Sequence, residues 1–229
     1  MGINRFARLV RRVLRKFERQ IAWFVVRICR ETTLAEAAFA YFSYPKMKRE
    51  YGDFGIGEDY GDAHITGLSK ESGAIRGVIV AAVRNTARDV KSVLLPGEYN
   101  RDKKFYSKLF GIEQSNIITA GVGGDMDYEW NYEKSAPDMG SFDYIISQAM
   151  LEHLISPYKH VEDLCGMLNK GGYLILHTHP PGFPYHRYPI DCVRFFPDWF
   201  ETVAQRLGLE VVDRHMGELR ICYTYKKPN

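Results

Sequence analysis

The chain has 229 residues, 45% of them hydrophobic and 14% aromatic, with a net charge of +3. That is enough for one α/β domain with a real core and a helical extension. The cysteines, Cys29, Cys165, Cys192 and Cys222, are scattered without a Cys-x-x-Cys pair, which argues against a zinc cage or a disulfide framework and for a reducing compartment.

Charge is spread unevenly. Residues 1–30 hold nine Lys or Arg against one acid, Glu18, a net +8, while the remainder carries 22 basic and 27 acidic residues, a net −5. Such asymmetry points the basic arm at something anionic. In the arm, Phe6, Leu9, Val10, Val13, Leu14, Phe17, Ile21, Phe24, Val25 and Ile28 recur at helical steps, with arginines between them. This pattern predicts a basic amphipathic helix lying on an anionic membrane surface. Its longest apolar run, Ile21 to Val26, is far short of the ~20 residues that a membrane span needs. Docking on the chain's own domain, or on a second subunit, stays open as the alternative. Nucleic acid is not expected as a partner, because the rest of the chain is acidic.

Residues 31–74 are expected to hold a helix, over Thr32 to Tyr44, and a glycine-rich linker or lid containing Gly52, Gly55, Gly57, Gly61 and Gly67. The main domain is expected over residues 75–229. Gly73 to Val90 reads as its first helix, Ser92 to Leu95 as a strand, and Asn116 to Ala120 as a second strand. Phe142 to Ser147 is a short apolar run rich in aromatic and β-branched residues, which predicts a buried strand. From His153 to Leu168 the spacing turns helical, through Leu154, Val161, Leu164 and Leu168. Gly171 and Gly172 are expected to stop that helix, and Tyr173 to His177 to form the next strand. Strand, helix and strand in this order make a parallel βαβ unit, with ligands at the carboxyl ends of its strands. Pro197 to Leu207 reads as a helix stopped by Gly208, and Leu209 to Asp213 and Arg220 to Tyr225 as the last strands.

The stretch from Ser141 to Pro181 resembles the class I S-adenosylmethionine-dependent methyltransferases. The resemblance rests on Phe142-Asp143 at the start of a strand, Leu151-Glu152-His153 after it, and Gly171-Gly172 before the next strand. It implies a Rossmann-like, mostly parallel seven-stranded sheet with an antiparallel last strand, behind the N-terminal helical extension. It also implies S-adenosylmethionine as cofactor. The loop after the first strand, with Gly97, Glu98 and Asn100, falls where the family's glycine-rich turn approaches the cofactor. Here the family's strand Asp aligns with Leu95, and the later glycines with Tyr99 and Arg101. The cofactor's amine and carboxylate would then need other partners, such as Asn100 or Arg101. The family's ribose-binding acid corresponds to Asp125 or Asp127, since a carboxylate offers two acceptors to a vicinal diol. Tyr128 and Trp130 are candidates for stacking on adenine. Ser147, Gln148 and Ala149 fall at the positions facing the methionine end.

Between the expected strand at 173–177 and the helix at 197 lies a proline-rich segment crowded with polar groups. It holds His179, Tyr185, His186, Arg187, Asp191 and Arg194, and it occupies the place where substrates bind in this fold. It resembles a loop of methyltransferases encoded with bacterial surface-glycan genes. On that basis the expected activity is O-methylation of a sugar, glycolipid or polysaccharide intermediate. The expected location is the cytoplasm, with the basic arm of residues 1–30 as a route to the inner face of the membrane. Methylation of an oxygen needs a base, and an imidazole titrating near neutrality suits the task. His186 is the first candidate, with Asp191 to orient it, and His153 the second. His179, Tyr185, Arg187 and Arg194 are candidates for holding the acceptor. His177, His179, His186 and Asp191 are also metal-ligand types, but their spacing matches no common motif, and no metal is assigned. Two alternatives stay open: a cofactor-free scaffold or binding subunit at a membrane, and a methyltransferase acting on a quinone or lipid. The oligomeric state is not legible.

Overall fold

The computed structural model describes residues 68–181, 183, 190–217 and 219–229, with side chains in the first helix from residue 76 onward. The expectations for residues 1–30 and 31–67 lie outside these. The elements in chain order are α1 (Leu68–Thr86), β1 (Val93–Pro96), α2 (Lys103–Phe110), β2 (Ile117–Gly121), β3 (Tyr128–Glu129), β4 (Phe142–Gln148), α3 (Pro157–Met167), β5 (Leu168–Thr178), α4 (Pro197–Leu207), β6 (Glu210–Gly217) and β7 (Arg220–Lys226). The seven strands form one sheet in the order β3-β2-β1-β4-β5-β7-β6. β7 runs antiparallel to both of its neighbours, and the other pairs are parallel. The expected α/β class, with an antiparallel final strand, is what the sheet shows. That strand stands inside the sheet, and β6 forms the edge.

Helices cover both faces. On one face Val161 and Leu164 of α3 and Phe200 and Val203 of α4 pack on Ile145, Leu174, Leu176 and Tyr223. On the other, Ile79 and Val83 of α1 and Tyr106 of α2 pack on Val93, Leu95, Tyr144, Ile146 and Ile175. The strands buried on both faces read as continuous apolar runs for this reason.

Several boundaries differ from expectation. α1 begins at Leu68, inside the expected linker. α2 and the two-residue strand β3 were not anticipated, having no apolar run of their own. The helix expected from His153 begins at Pro157, because residues Leu151–His153 close a separate 3₁₀ turn and proline suits the first helical position. Gly171 and Gly172 do not stop that helix. It ends at Met167, and both glycines lie within β5, Gly171 with φ +75°. The cause is tertiary: the Gly171 and Lys227 N–H groups donate to the Lys227 and Gly172 carbonyls, each at 2.9 Å. A Cβ on Gly172 would stand 2.9 Å from the Asn169 and Asp143 carbonyl oxygens, which are backbone and cannot swing away. Gly172→Ala is therefore expected to lower the unfolding free energy by about 1–3 kcal/mol, the usual cost of overpacking, read by urea titration.

Candidate functional site

In an open α/β sheet the ligand crevice lies at the carboxyl ends of the strands, where the strand order reverses. Here that point falls between β1 and β4, neighbours in the sheet. β1 leaves through Gly97, whose φ of +82° suits a residue without a Cβ. Its N–H donates to the Ala120 carbonyl at 2.8 Å. A Cβ there would meet Met150 Sδ at 2.6 Å, so the thioether of the β4 exit covers this glycine. Gly97→Ala is expected to cost about 1–2 kcal/mol through the left-handed backbone alone, measurable by thermal melting.

The next residue, Glu98, is partly buried. Burial, reinforced by the charge of Asp102, pushes its carboxyl up to about 7. Gln148, at the end of β4, donates from Nε2 to Glu98 Oε1. The other end of that amide, Gln148 Oε1, is buried without a hydrogen-bond partner among the described residues. Ala149 follows with φ +48°, an uncommon conformation for a residue with a Cβ, and its N–H reaches the His177 carbonyl at 2.9 Å.

The loops after β1 and β2 are tied together. Asn100 N–H donates to the Asp125 carbonyl at 2.8 Å, and Thr119 Oγ1 donates to Asn100 Oδ1 at 2.7 Å. The Asp125 side chain is exposed. Asp127 Oδ2 accepts from the Thr119 N–H at 2.8 Å and meets Lys103 Nζ at 2.5 Å. Burial pushes the Asp127 carboxyl up, but the Lys103 ammonium and Thr119 outweigh it and hold the group below its ordinary range. Gly121 is covered as Gly97 is: a Cβ would meet Met126 Sδ and Tyr132 Oη, each at 2.7 Å.

Of the two aromatic candidates, Tyr128 is exposed and Trp130 is buried, its ring 4.7 Å from Tyr132 and 5.3 Å from His160. Trp130 therefore belongs to the core. Ser147 also faces the core, where its hydroxyl lies 3.2 Å from His160 Nε2. Burial pulls His160 down to about 3, so the ring is neutral. The fold thus brings Glu98 and Gln148 together beside Gly97, ties Asn100 to the loop after β2, and turns Ser147 toward His160.

A second polar group gathers at the exits of β4 and β5. Glu152 is fully buried. Its Oε2 accepts from Thr178 Oγ1 at 2.5 Å, and its Oε1 lies 3.5 Å from His179 Nε2 and 3.9 Å from His153 Nε2. Burial raises the Glu152 carboxyl above its ordinary value, against the lowering effect of the Thr178 hydroxyl. Both histidines turn Nδ1 to a backbone carbonyl, His153 to Ile190 at 2.5 Å and His179 to Leu219 at 3.1 Å. A carbonyl only accepts, so each Nδ1 carries a proton and each Nε2 faces the carboxyl. The following segment is anchored on the same residue, since the Cys192 N–H donates to the Glu152 carbonyl at 2.8 Å. Asp191 is gripped by Arg194, whose Nη2 lies 2.5 Å from Asp191 Oδ2. Tyr185, His186 and Arg187 lie outside the described residues. His177 is buried, its two ring nitrogens without hydrogen-bond partners among the described residues, and burial beside His179 and Arg220 holds it well below its usual range. Glu152, Thr178 and Lys103 did not emerge as site residues from the sequence. The Leu-Glu-His triplet was the available signal for Glu152.

No protein-family model matches the chain, and no curated protein matches it in sequence. Solved structures do match in shape. An S-adenosylmethionine-dependent methyltransferase from Clostridium acetobutylicum aligns with TM-score 0.54 at 9% identity, over 71% of this chain and 96% of that one. DesVI of Streptomyces venezuelae gives TM-score 0.54 at 13% identity, over 71% of this chain and 94% of that one. The fold is that of the class I methyltransferases. A SAM-dependent methyltransferase from Methanosarcina mazei aligns with TM-score 0.51 at 13% identity, over 64% of this chain and 97% of that one. Against an O-methyltransferase family protein from Burkholderia thailandensis, at 10% identity and TM-score 0.49, the alignment takes in 70% of this chain and only 59% of that one. At such identities the likeness is one of fold.

Proposed function

We propose that this chain transfers a methyl group from S-adenosylmethionine to an oxygen of a sugar, glycolipid or polysaccharide intermediate. The observation that carries the cofactor reading is the pair Glu98 and Gln148 at the switch point, with one buried amide oxygen that no described residue satisfies. A buried acceptor without a partner costs stability unless something fills its need, and a ligand rich in N–H and O–H donors does so. Gly97, Glu98, Asn100 and Gln148 would hold the cofactor, with Asp127 on the ribose side. When bound, it supplies an electrophilic methyl group on a positively charged sulfur.

The chain's own part is to position the acceptor and hold a proton. His153 has its Nδ1 committed to the Ile190 carbonyl, which leaves Nε2 as the basic nitrogen. That nitrogen can take the hydroxyl proton as the oxygen attacks, and the Glu152 carboxyl 3.9 Å away favours the charged ring once it forms. His179 and Thr178 fix that carboxyl from the other side. Positioning two bound reactants in line supplies much of the remaining acceleration. The polar crowd around Glu152 suits a hydroxylated acceptor better than an apolar one, which supports the glycan reading.

Calorimetric titration of the full chain with S-adenosylmethionine and S-adenosylhomocysteine tests the cofactor, and methyl transfer to isolated glycolipids tests the acceptor. Micromolar binding of both ligands is expected. A folded protein that binds neither would sink the reading.

Three contacts favour a second reading, a methyltransferase-like binding subunit without cofactor. Met150 covers Gly97, Met126 covers Gly121, and Lys103 occupies Asp127. This reading predicts a silent titration. In either case residues 1–30, with net charge +8, are proposed to bring the protein to an anionic membrane surface. Among the described residues no helix is long and apolar enough to cross a membrane. Co-sedimentation with vesicles containing anionic lipid, lost in neutral vesicles and in high salt, is the expected result. Equal binding to neutral vesicles would rule the electrostatic account out.

A further inference from the structure

Glu98 presents an electrostatic problem that the described residues do not solve by themselves. Its carboxyl is partly buried, and burial of a charge is costly unless a partner compensates. Two described cations act on it, and each has another partner. Arg76 pairs with Asp102 at 3.3 Å, and Arg101 lies over the Tyr99 ring, 4.5 Å from its centroid. Its hydrogen-bonding neighbour, Gln148, spends its Nε2 on Glu98 Oε1. That bond orients the amide so that Gln148 Oε1 is a buried acceptor with no partner among the described residues. Carboxylate and amide oxygen therefore stand together at the exits of adjacent strands, where the fold places its ligand, and no donor among the described residues meets the amide oxygen. Such a pair matches a primary ammonium group, which offers three donors and one positive charge.

S-adenosylmethionine carries one such group, on its amino-acid end. Resting on the cofactor reading above, we infer that Glu98 and Gln148 form the seat for that α-ammonium group. The two side chains stand in for the glycine-rich backbone turn, since Tyr99 and Arg101 occupy the positions of its later glycines. The adenine amine is a competing occupant, and the test separates the two.

The seat is also linked to protons. Glu98 titrates at about 7, with Asp102 raising it and Arg76 and Arg101 lowering it. The phenols of Tyr106 and Tyr132 face it as well, and both are shifted upward by burial. An ammonium ion needs the ionised carboxylate, so affinity for the amino-acid end falls as pH drops through 7.

The full-length protein is titrated with S-adenosylhomocysteine, which keeps the amino-acid end, and with 5′-methylthioadenosine, which lacks it but keeps the adenine amine. In the wild type at pH 8 both bind. Glu98→Gln is expected to weaken S-adenosylhomocysteine at least tenfold and to leave 5′-methylthioadenosine unchanged. In the wild type, S-adenosylhomocysteine is expected to bind about tenfold more tightly at pH 8 than at pH 6, following the ionised fraction of a group that titrates near 7, with 5′-methylthioadenosine flat over that range. This second comparison needs no variant, so it decides the matter even if Glu98→Gln fails to fold. Equal loss of both ligands in Glu98→Gln, no loss of either, or parallel pH profiles in the wild type overturn the ammonium seat while leaving the cofactor reading intact. A wild type that binds neither ligand overturns both.

Discussion

Phe200→Ala is expected to lower the unfolding free energy by about 3–5 kcal/mol, the range for removing a large aromatic side chain from a packed core. Phe200 is completely buried, and its ring stacks on Tyr223 at 4.7 Å with an interplanar angle of 8°. It also meets Trp199 at 5.0 Å and Phe195 at 5.9 Å. These contacts join α4 to β7, the antiparallel strand that completes the sheet, so the cavity opens where helix and sheet meet. Neighbouring side chains are aromatic and stiff, which limits collapse into the space. For a domain of this size the melting temperature should fall by roughly 6–20 °C. Val212→Ala, on the exposed edge strand at 43% exposure, should change stability by no more than about 0.5 kcal/mol. Thermal melts of the two variants side by side check the assignment, and similar shifts in both would contradict it.

His153→Ala is expected to reduce turnover by about 10²–10⁴-fold, the usual contribution of a positioned general base. Its affinity for S-adenosylhomocysteine should stay unchanged, because His153 is not among the residues that bracket the cofactor. The structural cost is small: the substitution removes the bond to the Ile190 carbonyl, worth about 1 kcal/mol net. Glu152→Gln tests the partner. It keeps the volume and an acceptor for Thr178 Oγ1 but removes the charge that favours a protonated ring. It should lower kcat while leaving KM nearly constant. Single-turnover kinetics with saturating cofactor separate these effects from binding. Full activity in His153→Ala would assign the base to another group.

What the sequence determined by itself is what local physics encodes. α4 runs from Pro197 to Leu207 as its residues alone predict, because both ends are written locally. Proline opens the first turn, and Gly208, at φ +64°, closes the helix with its N–H on the Ala204 carbonyl. β4 was equally legible as a short buried run, and the order of strands and helices implied the doubly wound sheet. The candidate positions Gly97, Glu98 and Gln148 came from the resemblance to the class I methyltransferases, which sets the cofactor at these strand ends.

Only the tertiary structure decided how distant residues meet. Gly171 and Gly172 look like a helix stop, but pairing with Lys227, far along the chain, draws them into β5. Ser147 and Gln148 are adjacent in sequence and face opposite sides of the sheet. Alternation along a strand gives two faces without saying which one meets the ligand, and packing on His160 settled it for Ser147. The link from Glu98 to Gln148 spans 50 residues and that from Glu152 to Thr178 spans 26. Neither leaves a periodic or local mark, because a buried carboxyl takes its partner from whichever strand end the fold sets beside it. The chemistry of this protein therefore depends on pairings made across the sheet, while the elements that carry them were written in the chain.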